Sequence, residues 1–165
     1  MATTRVLKTI AIHCQDGKDG LTIEDAVGED ASESWKAGAP VSRETGSTGS
    51  IVEWPGTTNA TLPIGVAAKD ATGVTGTKVP HYEANDYNRF EASVINGVTP
   101  CVTTAAMLGT AYSLVKASSG AWYVDSADET TKLVEIVGFI DPVGDTNGRV
   151  IVRFIGNHQA NVLQS

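Results

Sequence analysis

The chain is expected to be mainly β, built as small β-sandwich or barrel modules with short helical turns and an extended N-terminal segment. Three observations lead there. Turn clusters recur about every 10 residues, the spacing of sandwich and barrel strands. The stretches between them are rich in Val, Ile, Thr and aromatic residues, which suit a pleated, half-buried surface. Seventeen glycines and six prolines accompany a charged fraction of only 19%, a balance that favours many turns over long helices.

Residues 4–13 alternate loosely, with Val6, Lys8, Ile10 and Ile12 set against Arg5, Leu7, Thr9 and Ala11. They read as an extended arm or first strand within residues 1–20, ahead of a β-rich body spanning 21–165. Asp16-Gly17-Lys18-Asp19-Gly20 is a turn. Residues 21–34 are acidic with little apolar periodicity and read as loop with one helical turn at 22–26. Strand signals then become regular: 40–43, 50–54, 62–68 and 75–79, each following a Gly, Thr or Asn turn. Gly65 inside the third of these marks a bulge or the close approach of another backbone. Residues 80–90 are polar and aromatic. A strand over 91–98 ends at Asn96-Gly97, a hairpin cue, and CVTTAAML after Pro100 is the one helix or loop candidate. The last third gives strands at 111–115, 120–124, 133–140 and 149–155. In the final one Val150, Val152 and Phe154 share a face. Two β-modules are expected to meet near 99–110.

At 165 residues the chain can bury one moderate core or two small packed modules. Its net charge of −7 repels nucleic-acid phosphate and anionic membranes, so neither is expected as a partner. No stretch approaches the about 20 apolar residues that span a bilayer. The N-terminus lacks the pattern of a signal peptide, which implies synthesis in a cytoplasm. Cys14 and Cys101 are far apart and read as buried thiols.

Chemistry-bearing motifs are sparse. Gly73-Val74-Thr75-Gly76-Thr77-Lys78 looks like a phosphate loop but lacks its spacing and following helix. His13, His81 and His158 are too scattered to suggest a metal site. Asp141, Asp145 and Asn147 carry Ca²⁺-ligand chemistry, yet Val143 interrupts the pattern and a hairpin turn accounts for them. Asn59-Ala60-Thr61 matches a glycosylation acceptor. Trp35, Trp54 and Trp122 suit core packing better than a sugar platform. The segment from His81 to Tyr87 offers a carboxylate and aromatic surface, with Tyr82 and Tyr87 as contact candidates. No catalytic set emerges, so neither enzyme activity nor a cofactor or metal is expected.

The run AGAPVS…GSIVEW, GTTNATLPIGVAAKDATG and TGTKV resembles the head-decoration, or capsid cement, proteins of tailed bacteriophages, including the lambda type. The matching residues are Gly38, Pro40, Val41, Ile51, Val52, Trp54, Ile64, Gly65, Val66, Ala67 and Gly73. They cover roughly the middle third, and residues 112–155 would be an additional β-module. The resemblance implies a structural protein of the virion, made in the host cytoplasm. It would sit as a homotrimer on the outer capsid surface, clamping neighbouring major capsid protein subunits. The arm could add a strand to a capsid sheet edge or serve as the first strand of its own sheet. Contact candidates are therefore Thr4, Arg5, Val6, Leu7, Lys8 and Ile10, with Tyr82 and Tyr87. Alternatives are another virion β-module, at a head-fibre base or on the tail, and a carbohydrate-binding module.

Overall fold

The computed structural model describes residues 2–13, 22–24, 27–44, 49–56, 62–85, 87–128 and 131–155. Its strands are β1 (Ala11–Ile12), β2 (Thr22–Glu24), β3 (Pro40–Arg43), β4 (Ile51–Glu53), β5 (Gly65–Ala67), β6 (Pro80–Glu83), β7 (Phe90–Asn96), β8 (Thr99–Pro100), β9 (Ala111–Lys116), β10 (Trp122–Asp125), β11 (Val134–Phe139) and β12 (Arg149–Phe154). A single 3-10 turn, Ala105–Met107, occupies the stretch where a helix or loop was expected. The mainly β reading holds.

Five strands close a barrel. Running β7–β10–β9–β11–β12, the circuit returns from β12 to β7, and only the β7–β10 pair is parallel. Closure removes free sheet edges. The parallel pair is short, with just Val94 and Ile95 of β7 in register with Val124 and Asp125. The remaining edge of β7 is taken by β1, which pairs Ala11 with Glu91 and Ile12 with Phe90. Strand β12 shows why the barrel holds. Val150, Val152 and Phe154 turn inward and are fully buried. Arg149, Ile151 and Arg153 alternate outward, and Arg153 pairs with Glu135 directly across the ladder at 2.7 Å. Phe154 meets Phe90 edge to face at 5.4 Å.

The second sheet is antiparallel, in the order β2–β6–β5–β3–β4. It shares one core with the barrel, running from Trp35, Val41, Ile51, Trp54 and Val66 to Phe90, Val124 and Val152. Trp54 and Trp122 join the two, their rings 5.4 Å apart and tilted 41°.

Several local expectations are corrected. Residues 22–24 form an edge strand, not a helical turn, because their backbone pairs with β6. Residues 75–79 are turn and irregular chain, and the strand begins at Pro80. Apart from β1, which joins the barrel sheet, the two sheets divide the chain between Glu83 and Phe90, and residues 99–110 lie within the barrel half. The hairpin after β7 pairs Asn96 with Thr99, so its two turn residues are Gly97 and Val98. Gly97, at φ 62°, takes the position that needs a positive φ, which leaves Val98 at the tip.

Candidate functional site

The N-terminal arm is held at both ends of its described length, with Val6 and Leu7 exposed between them. Thr3 N–H donates to Asp145 Oδ1 at 2.8 Å, and Arg5 Nε donates to Asp145 Oδ2 at 2.6 Å. Arg5 N–H also donates to the Thr146 carbonyl, and Thr146 N–H to the Thr3 carbonyl, forming a bridge beside Thr4. The Thr3 amide and then the Arg5 guanidinium hold the Asp145 carboxyl below its ordinary range. Asp141 is depressed likewise, chiefly by hydrogen bonds from Arg149. Further along, Lys8 N–H donates to Ser93 Oγ at 2.9 Å, and Ser93 N–H to the Lys8 carbonyl at 3.1 Å. Thr9 Oγ1 accepts from Trp122 N–H and donates to the Trp122 carbonyl. Lys8 and Thr9 therefore seal the gap on β7 where pairing passes from β1 to β10. Of the two uses open to residues 3–12, the structure has the protein's own sheet.

This placement sorts the arm's contact candidates. Ile10 is 1% exposed and belongs to the core. Thr4, Leu7 and Lys8 are exposed, Val6 is 79% exposed, and Arg5 is half-buried against Asp145. Leu7 lines a cleft of about 290 Å³ with Ile95, Val98, Pro100, Lys116 and Tyr123. Val98 is 95% exposed. Val102 bridges to Thr146 on the side away from Thr4, and Val143 lies in the adjoining loop; both are exposed. Sequence reading missed Val98, Pro100, Val102 and Val143. The one signal for Val98 was an apolar residue directly after Asn-Gly.

Tyr82 and Tyr87 lie apart from this end. Tyr82 is half-buried on β6, between Thr22 and Val66. Tyr87 is 80% exposed on a loop stapled by Asn85, whose Oδ1 accepts from the amides of Tyr87 and Asn88.

The phosphate-loop look-alike is an anion cradle already filled by the chain itself. The amides of Thr72 and Val74 donate to the Glu29 carboxylate at 3.0–3.1 Å, and the Thr72 hydroxyl donates to the same carboxylate. Burial pushes the Glu29 carboxyl up, but these hydrogen bonds outweigh it and hold it below the ordinary range. Nearby, Glu53 joins the two sheets, accepting from Lys116 Nζ at 2.6 Å and Trp122 Nε1 at 2.8 Å. This pair rims a second cleft, of about 360 Å³, with Trp54, Pro55 and Leu114.

The other motifs resolve into structure. Trp35, Trp54 and Trp122 are all buried and present no ring face to a sugar. Asp141 and Asp145 are engaged by arginines, and Asn147 Oδ1 accepts from Cys101 N–H. His81 is buried, and His13 lies 3.9 Å from Glu91. Cys101 is a buried free thiol. Among the described residues no group of three or more His, Cys, Asp or Glu side chains is placed to hold a metal ion. No helix among them is long and apolar enough to cross a membrane. Cys14, Asn59-Ala60-Thr61, Asp86 and His158 lie outside the described residues.

Comparison with protein families, with curated proteins and with solved structures returned no match.

Proposed function

We propose that this chain is a capsid decoration protein, a structural part of a phage virion that binds the outer head surface as a homotrimer. The observation that carries the reading is the barrel end built by Leu7, Val98, Pro100 and Tyr123, an apolar cleft flanked by exposed Val6 and Val102. Solvent-exposed apolar side chains grouped around a cleft mark a surface that another protein covers. The resemblance of residues 38–73 to head-decoration proteins supplies the context: a compact β subunit docking on major capsid protein. A closed barrel suits that task, since it offers no long free edge through which subunits would aggregate.

The test is sedimentation of the purified chain with heads of the cognate phage. Pelleting with expanded shells and not with immature ones is the expected result. Failure to pellet with either overturns the proposal.

A further inference from the structure

We propose that Asn96 is a self-modification site: the Gly97 nitrogen attacks the Asn96 side-chain amide, with Asp125 as the base, and converts it to aspartate or isoaspartate. The chemistry stands whether or not the barrel end docks on a capsid.

An asparagine is most labile where glycine follows, because the next backbone nitrogen is then unshielded and can close a five-membered imide. The chain has two such pairs, Asn96-Gly97 and Asn147-Gly148, and the fold treats them oppositely. Asn147 is 7% exposed, its Oδ1 accepts from Cys101 N–H, and its own N–H donates to the Cys101 carbonyl at 2.7 Å. The space beside Gly148 is taken by the Thr103 side chain. Asn96 is exposed at the end of β7. Among the described asparagines its side chain alone makes no hydrogen bond to another described residue, since Asn85 and Asn88 are both held by Glu83.

At Asn96 the nucleophile is fixed while the electrophile is free to swing. Gly97 N–H donates to Asp125 Oδ1 at 2.8 Å, within the reach required of a general base. Asp125 is buried and is itself held by Ala127 N–H at 2.9 Å. Ser126 N–H donates to the Ile95 carbonyl at 2.8 Å, which clasps this turn to the hairpin. Beyond its chain neighbours, no heavy atom lies within 4 Å of where a Cβ on Gly97 would sit, so a ring can close there. Gly97 also lines the cleft of about 290 Å³, which admits the water that the second step needs.

As the Gly97 nitrogen bonds to Asn96 Cγ, its proton passes to the Asp125 carboxylate. The Cγ–Nδ2 bond then breaks, and ammonia leaves with that proton, returning Asp125 to its starting state. Water adds to one of the two imide carbonyls. Opening on one side restores the main chain and leaves aspartate. Opening on the other leaves isoaspartate, with an extra methylene in the main chain opposite Thr99. One water is consumed and one ammonia released, and either product gives the hairpin beside Val98 a negative charge. A neutral tip thus becomes anionic with age, at a rate set by the fold.

The test incubates the full-length chain in warm neutral buffer, folded and in urea, and follows each asparagine by peptide-mapping mass spectrometry. In the folded chain Asn96 should convert at least tenfold faster than Asn147, and no more slowly than Asn96 does in urea. In urea the two should convert alike. Asp125→Asn keeps an oxygen to accept from Gly97 N–H but removes the base. It should slow Asn96 at least tenfold in the folded chain, verified by its melting curve, and leave the rate in urea unchanged. Equal folded rates at Asn96 and Asn147 overturn the proposal. So does an Asn96 that converts more slowly folded than unfolded, a comparison made on the wild type and independent of whether Asp125→Asn folds. A folded Asp125→Asn chain that converts at the wild-type rate overturns the role of Asp125.

Discussion

Replacing Ile10 by Ala separates an arm that belongs to the fold from one held ready for a partner. Ile10 is 1% exposed in the shared core, with Gly38 packed so closely on its carbonyl that a side chain there would collide. The substitution removes three buried carbons, each worth about 0.8 kcal/mol of transfer free energy. The cavity left behind adds to that, and changes of this type cost about 2–5 kcal/mol. Taking about 3 kcal/mol, and about 2–4 °C per kcal/mol for a chain of this size, the melting temperature should fall by roughly 6–12 °C. Val6→Ala, four residues earlier and 79% exposed, should stay within about 0.5 kcal/mol of wild type. Thermal and urea unfolding of both variants make the comparison. If Ile10→Ala unfolds with wild-type stability, or if the two variants fall equally, the arm is not part of the core and the docking described above is wrong.

Three further outcomes follow from the second sheet and its border. Gly65→Ala should destabilise by about 1–3 kcal/mol in urea titration, because the new Cβ would lie 2.6 Å from the Tyr82 carbonyl oxygen and collide with the His81 ring. Glu29→Ala empties the anion cradle and should cost about 1–3 kcal/mol or more through unpaired amides; acetate, supplying a carboxylate, should restore part of the loss in a melting assay where chloride does not. Glu33 ionises against its surroundings, so its folded pKa lies above the unfolded value. Ionisation therefore erodes stability as pH rises through that window, and Glu33→Gln should melt above wild type at pH 7 with the advantage gone near pH 3.

The barrel was legible where a strand was long enough to show its period. In β12 three buried residues alternate with three outward ones, and the pattern in the sequence is the pattern in space. Strand β2 has three exposed residues and no period to read; only its pairing with β6 makes it a strand. Proline at the start of β6 disguised that strand, although a first position tolerates proline because the missing N–H falls outside the ladder. The arm candidates were found because a β-prone terminus with two cations stands out. Their setting was not legible, since Asp145 and Ser93 come from distant parts of the chain. The Glu29 cradle was hidden for the same reason: its donors lie 43 and 45 residues away. Val98 depended on which pair of residues forms the turn, a choice of one position that decides whether valine or glycine caps the hairpin.

The docked arm also imposes an order on synthesis. Residues 3–12 leave the ribosome well before the groups that hold them, Ser93, Trp122 and Asp145. Until β12 emerges, neither the barrel circuit nor the cradle for Arg5 exists. The nascent chain therefore carries an unpaired β-prone segment until the barrel strands follow, the interval in which exposed strand-forming segments find wrong partners. Lys8 guards that segment against neighbouring strands before it has any place to dock. A segment made early is fastened late.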